Sequence, residues 1–269
     1  RAVGSYGVIA GKSLRKTMTT TPGALIKSSH NSSSVSVRAD LTSAHIEVWE
    51  ALASPGTWWT GHERLAIAQI IRIAIEEEQP VPPWESASSL GRLTETGPLS
   101  AELQDAIYRL AAHAGTLTED WYSRLRDATA ITPEQWVEVI EIAASVVSVL
   151  RFAEVLGLEK PDFPPAIGGE PSRKTQPSKP AKHHWVPVVH LEEMTEELAP
   201  YYQGLTILPP VVRALSSVPS AMAALFVLSS AQYIPMQEMA DLNWSRGTLS
   251  RRQIEFVAGR LSAHRECFY

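Results

Sequence analysis

Apolar residues recur every three to four positions along most of the chain, which is the spacing of amphipathic helices and predicts an all-α protein. In the first half this spacing predicts five helices, at 43–53, 60–78, 100–114, 118–128 and 132–156. Thr60 followed by Glu63, and Thr132 followed by Gln135, are capping boxes and mark two of the helix starts. Gly157 stands where a C-cap glycine belongs.

Two segments interrupt the helical pattern. Residues 1–39 are rich in Ser, Thr and Gly and contain six Lys or Arg but no acidic residue. This composition predicts a flexible basic tail, and it is also typical of an organelle-targeting segment. Residues 159–187 are rich in Pro and Gly and predict a partly extended linker. Helical spacing then resumes and predicts helices at 191–202, 209–217, 220–230 and 231–243.

The last stretch, residues 249–269, reads LSRRQIEFVAGRLSAHRECFY. Ser250 and Gln253 form a third capping box, so a helix is expected to begin there. Four apolar residues follow at the spacing of one buried helical stripe: Ile254, Val257, Ala258 and Leu261.

This helix also carries the candidate chemistry. Glu255 and Cys267, the only cysteine of the chain, are twelve residues apart, so one side of a helix would carry both. A carboxylate inside a helical bundle could act as the base of a nearby thiol. His264, one turn before Cys267, could lower the thiol pKa. From spacing alone, Cys267 could equally be an inert core residue.

The same residues resemble the AhpD-like alkylhydroperoxidase and carboxymuconolactone decarboxylase superfamily. Its pattern is Glu, eleven residues, Cys, two residues, Cys, three residues, His; Glu255 and Cys267 match the first two positions. The sequence stops one residue before the place of the second cysteine, and we expect the natural chain to continue. The resemblance implies that Glu255 relays protons and that Cys267 is the resolving cysteine. It also implies a peroxide substrate, an external dithiol protein as reductant, and no metal or other cofactor.

An internal repeat agrees with this resemblance. Residues 63–75 align with residues 255–267, each beginning with a glutamate and apolar within. We therefore expect two tandem AhpD-like units, at 40–158 and 188–269, joined by the linker 159–187. The first unit has Ile75, Glu78 and Pro82 where the family has its cysteines and histidine, so it is expected to be structural. Such units commonly oligomerise, which implies a homo-oligomer.

Composition bounds the alternatives. A net charge of −5 argues against a nucleic-acid binder, and no apolar run reaches membrane-spanning length. A single cysteine fits a reducing compartment, the cytoplasm or, if the basic segment is a targeting signal, a mitochondrial or plastid matrix. Besides the thiol peroxidase, two functions stay open: an inactive structural or assembly subunit of a larger complex, and a decarboxylase of the carboxymuconolactone type.

Overall fold

The computed structural model describes residues 21–77, 97–202 and 209–264. The first half contains helices α1 (Pro22–His30), α2 (Ala39–Ala53), α3 (Gly61–Glu76), α4 (Ala101–His113), α5 (Glu119–Thr129) and α6 (Pro133–Val155). The second half contains strands β1 (Ser178–Lys179) and β2 (Val188–Val189), helices α7 (Ala199–Tyr202), α8 (Pro210–Arg213) and α9 (Pro219–Gln232), strands β3 (Ser245–Arg246) and β4 (Leu249–Ser250), and helix α10 (Arg251–His264). The structure confirms a mostly α-helical protein, and it adds two short antiparallel strand pairs to the predicted all-α fold.

The predicted helix starts are present. Thr60 caps α3 and Thr132 caps α6, each through a complete capping box. Gly157 follows α6 with a φ of 63°, a left-handed conformation that glycine adopts without strain. The predicted end of the second helix, at residue 78, lies outside the described residues.

One hydrophobic core runs through both halves of the chain. Helix α3 packs against α4 and α6, and α9 packs against both α2 and α6. The core extends from Ile26 of α1 to Leu228 of α9, and it includes Ile67 and Ile71 of α3, which are fully buried. Contacts between α9 and the first half thus join the two predicted units in one core, and the tandem-unit organisation remains a prediction.

The flexible-tail prediction is wrong for residues 21–39, most of which belong to helix α1 and the start of α2. Thr21 caps α1, Pro22 occupies its first turn, and Ile26 is buried in the core. Helix α1 is also tied to the chain beyond α6, because the Ser29 hydroxyl donates to the backbone carbonyl of Glu159 at 2.5 Å. Sequence periodicity missed α1 because only one of its three buried residues, Ile26, is apolar, which gives little periodic signal. Residues 1–20 lie outside the described residues.

The Pro-rich segment is extended, as predicted, but it packs against α2 and the start of α3. Trp49 donates its indole N–H to the carbonyl of Asp162 at 3.0 Å, and the Phe163 ring stacks on Trp49 at 5.5 Å between centroids. The N–H of Ile167 donates to the carbonyl of Ala53 at 2.8 Å. These contacts make residues 162–167 part of the first half of the fold, whereas β1 of the same segment pairs with β2.

The prediction of a helix over 231–243 is wrong. Helix α9 ends at Gln232, and only a single 3₁₀ turn, Met236–Glu238, follows before strand β3. Pro235 explains the break, because a proline disfavours helical backbone at the residue before it and lacks an N–H. The helices predicted at 191–202 and 209–217 are likewise reduced to short turns, of which α7 and α8 are the longest described pieces. Across the described ranges, every helix is too short or too polar to cross a membrane.

Candidate functional site

Helix α10 begins where the capping box predicts. The N–H of Ser250 donates to Gln253 Oε1 at 2.9 Å, and the N–H of Gln253 donates to Ser250 Oγ at 3.4 Å. Strand β4 ends at Ser250, so the β3–β4 hairpin determines where α10 leaves the body of the protein.

Arg251 anchors the first turn of α10. Its side chain is only 10% exposed and donates to the backbone carbonyls of Met239 and Asp241, at 3.1 Å each. It also donates through Nε to Glu255 Oε1 at 2.7 Å, one turn along the helix. One guanidinium therefore ties the loop after α9 to the start of α10.

Glu255 takes part in the same anchor. The sequence predicted a carboxylate buried inside a helical bundle, and the structure shows that this prediction is wrong. The Glu255 side chain is 43% exposed, and it accepts a hydrogen bond from the Tyr233 hydroxyl at 2.5 Å as well as the one from Arg251. The Tyr233 hydrogen bond, followed by that of Arg251, lowers the pKa of Glu255 below its ordinary value. Burial, followed by the same hydrogen bond, raises the pKa of Tyr233 to about 12. Glu255 is therefore a firmly ionised carboxylate and a weak base.

The predicted buried stripe of α10 is also wrong. Val257 is 65% exposed and Leu261 is 59% exposed, and Phe256 beside them is 69% exposed. Within Arg251–His264 only Arg251 is buried. The helix is held at its first turn by Arg251 and extends outward, so its apolar face has no covering element within the described residues.

The other end of α10 borders an open cavity of about 920 Å³. Leu261 and His264 line one side of it. Glu255 lies nine residues before His264, roughly 13 Å along the helix at 1.5 Å per residue, and does not line the cavity. Cys267 lies outside the described residues. The structure thus brings His264, and not Glu255, to a place where a small molecule could bind.

The remaining walls come from both predicted units. A continuous face of α6 forms the longest wall: Val147, Ser148, Arg151, Phe152, Val155 and Leu156. Other parts of the lining come from the end of α3, from the end of α4 with the two residues after it, and from Arg38, Leu41, Ala231 and Gln232; the α3 residues are Ala74 and Ile75. Ile75 occupies the first-unit position that aligns with Cys267, so the ends of the two aligned helices border one cavity. Val155 of this wall is an apolar residue that is 81% exposed, which the sequence did not indicate.

A buried histidine pair lies behind the cavity wall. His45 Nδ1 lies 3.1 Å from His30 Nε2, and His30 Nδ1 lies 2.8 Å from the Thr42 hydroxyl. The Gln232 side-chain amide lies 2.9 Å from His45 Nε2, which connects the pair to the cavity lining. Burial, and then the neighbouring His30, lowers the pKa of His45 to about 4, and burial lowers the pKa of His30 as well. Both imidazoles are neutral at pH 7.

A second buried polar cluster lies between α3 and α6. Arg64 donates to Glu138 and, at 3.0 Å, to Glu141, and the side chains of all three residues are at most 5% exposed. The N–H of Trp58 donates to the other oxygen of Glu138 at 2.7 Å. Burial raises the pKa of Glu138 although Arg64 opposes the shift. Since its groups bond mainly to one another, we interpret the cluster as structural.

Comparison with models of known protein families, with curated proteins and with solved structures finds no match to this chain. Family membership therefore stays a prediction that rests on the Glu255 and Cys267 spacing and on the internal repeat. Among the residues that the structure describes, no three His, Cys, Asp or Glu side chains cluster closely enough to hold a metal ion.

Proposed function

We propose that the protein is a thiol-dependent oxidoreductase of the AhpD-like, peroxidase-related kind, with Cys267 in the place of the family's resolving cysteine. The observation that carries the proposal is the position of His264, which lines the large cavity and precedes Cys267 by three residues. An apolar cavity lined by a few polar side chains is the usual form of a small-molecule site. The resemblance supplies the chemistry, because the cysteine stands at the spacing from Glu255 that the family uses.

The reaction proposed is the reduction of a hydroperoxide by an external dithiol. One hydroperoxide and one dithiol give one alcohol, one water and one disulfide, so the two electrons pass from sulfur to the peroxide oxygen. Cys267 must react as a thiolate, and we assign His264, three residues before it in the sequence, to accept its proton. We assign Glu255 a positioning role, since Tyr233 and Arg251 hold its carboxylate at the far end of the helix. A chain that depends on a free thiol fits a reducing compartment such as the cytoplasm.

Consumption of an organic hydroperoxide, measured with reduced lipoamide as electron donor, tests the proposal on the full chain. We expect turnover by the wild type and none by Cys267→Ser. His264→Gln should retain the thiol but shift the pH dependence of its alkylation by iodoacetamide toward higher pH, because the nearby imidazole is gone. His62→Gln, on α3 and away from the cavity lining, is the matched control and should leave both measurements unchanged.

Turnover that persists in Cys267→Ser would refute the thiol mechanism. Equal alkylation profiles for the wild type and His264→Gln would remove His264 from the site while leaving the thiol in place.

A structural or assembly subunit is the second candidate, and one observation favours it. Phe256, Val257 and Leu261 expose a contiguous apolar face on α10, the kind of surface that partners cover. Absence of Cys267-dependent turnover, together with a stable complex that dissociates in Val257→Asp, would favour this function over the enzyme.

A further inference from the structure

The described ionisable side chains that line the cavity beside α10 are all basic. Four of its lining residues have basic side chains: Arg38, His113, Arg151 and His264. None of the described residues that line it is an aspartate or a glutamate. The remaining lining is mostly Ala, Val, Leu, Ile and Phe. A cavity with apolar walls and cationic groups favours ligands that combine an apolar body with an anionic group.

The two arginines are able to accept such a group. Arg38 and Arg246 share the single carboxylate of Asp40, with contacts of 3.0 and 3.2 Å, so this corner keeps a net positive charge. Arg151 pairs with Glu154 at 2.6 Å, but both side chains are about two-fifths exposed, at 35% and 42%. Exposed ion pairs of this kind are weak, so a ligand anion could displace Glu154 at little cost.

The cavity has one long apolar wall. Its α6 wall runs from Val147 to Leu156, nine residues along one helix face, or roughly 13 Å. Ile75 and Leu261 face the cavity from the ends of α3 and α10. A volume of about 920 Å³ lies near the upper end of the range for small-molecule pockets. An extended alkyl chain can therefore lie along this wall.

We propose that this cavity binds a fatty acid or a similar straight-chain carboxylate. The alkyl chain lies along the α6 wall, and the carboxylate is held by Arg151 and Arg38 through charge-assisted hydrogen bonds. This inference is independent of the proposed thiol chemistry, because binding requires neither Cys267 nor a redox step.

Enhancement of dansylundecanoic acid fluorescence, and its displacement by other molecules, tests the proposal on the full chain. We expect decanoate to displace the probe, and methyl decanoate and decylamine to be weaker by about tenfold or more, since they lack the anion that the arginines bind. Arg151→Gln should lower the affinity of the protein for decanoate by a similar factor. Arg124→Gln, an exposed arginine of α5 outside the cavity lining, is the matched control and should leave binding unchanged.

A second pair of variants keeps the test independent of folding. Val155 is 81% exposed, so neither glutamate nor lysine at this position disturbs the core. Val155→Glu should weaken decanoate at least about fivefold through repulsion at the mouth, whereas Val155→Lys should bind as well as or better than the wild type. Cys267→Ser should bind like the wild type, which separates this proposal from the thiol mechanism.

Three outcomes would overturn the proposal. One is the absence of probe binding, the second is equal displacement by decanoate, its methyl ester and decylamine, and the third is equal decanoate affinity in Val155→Glu and Val155→Lys. The second outcome would show that the cavity selects only for apolar surface.

Discussion

Removal of Arg64 should lower the free energy of unfolding more than removal of an exposed charge does, because it leaves two buried carboxylates without their partner. In the wild type the Arg64 guanidinium bonds to both Glu138 and Glu141, and its side chain is 4% exposed. Arg64→Met keeps most of the side-chain volume and removes only the charge and the donors. The variant thus isolates the electrostatic part of the cluster.

The expected loss can be worked from burial. Breaking a buried ion pair by removing one partner typically costs about 3–5 kcal/mol, since the remaining charge is neither solvated nor paired. Arg151→Met is the matched control, because the Arg151–Glu154 pair is exposed and such pairs contribute about 0–1 kcal/mol. A difference of at least about 2 kcal/mol between the two variants is therefore expected.

The loss should also depend on pH. Burial already raises the pKa of Glu138, and Arg64 is the largest influence that lowers it, so Arg64→Met raises it further. A carboxyl group with a raised folded pKa binds its proton more tightly in the folded state. The contribution of this group to the free energy of unfolding therefore has its full value below pH 4.5, the ordinary pKa of a glutamate, and is lost as the pH rises through the folded pKa. The free-energy difference from the wild type should be larger at pH 8 than at pH 5.

Urea unfolding of the wild type and both variants at pH 5 and pH 8 provides the measurement. Adding Glu138→Gln to Arg64→Met should recover part of the loss at pH 8, because one uncompensated charge is removed. The reasoning fails if Arg64→Met costs no more than Arg151→Met at pH 8, or if its cost is larger at pH 5 than at pH 8.

The remaining predictions concern the histidine pair, a close backbone approach and the α10 anchor. The pKa of His45 is about 4 in the folded state and 6.5 in a free histidine, so the unfolded chain binds this proton at a higher pH than the folded protein does. The free energy of unfolding therefore has its full value above pH 6.5 and falls by up to about 3 kcal/mol as the pH falls through 4. Urea unfolding of His45→Gln at several pH values should show a shallower decline than that of the wild type. Gly61→Ala should lower the melting temperature, because a Cβ would lie 2.4 Å from the carbonyl oxygen of Ala53; Gly259→Ala, where nothing lies within 4 Å, should not. Arg251→Ala should remove hydrogen-exchange protection from α10 but not from α3, and the exposed neighbour Arg252→Ala should change neither.

Local signals in the sequence predicted three helix starts and the burial of one helix. The starts of α3, α6 and α10 were predicted because a capping box depends on residues three positions apart, which the sequence shows directly. The burial of α3 follows from its sequence, because its apolar residues cover more than half of its circumference and nearly any packing buries them.

Contacts between distant segments were not predictable in this way. The sequence determined that α10 is amphipathic and where it begins, but only the tertiary structure decided that Val257 and Leu261 are exposed. The same holds for the His30–His45 pair and for the cavity, which joins α6, the end of α3 and the end of α10. Helical periodicity states which residues share a face; which element covers that face depends on how the whole chain packs.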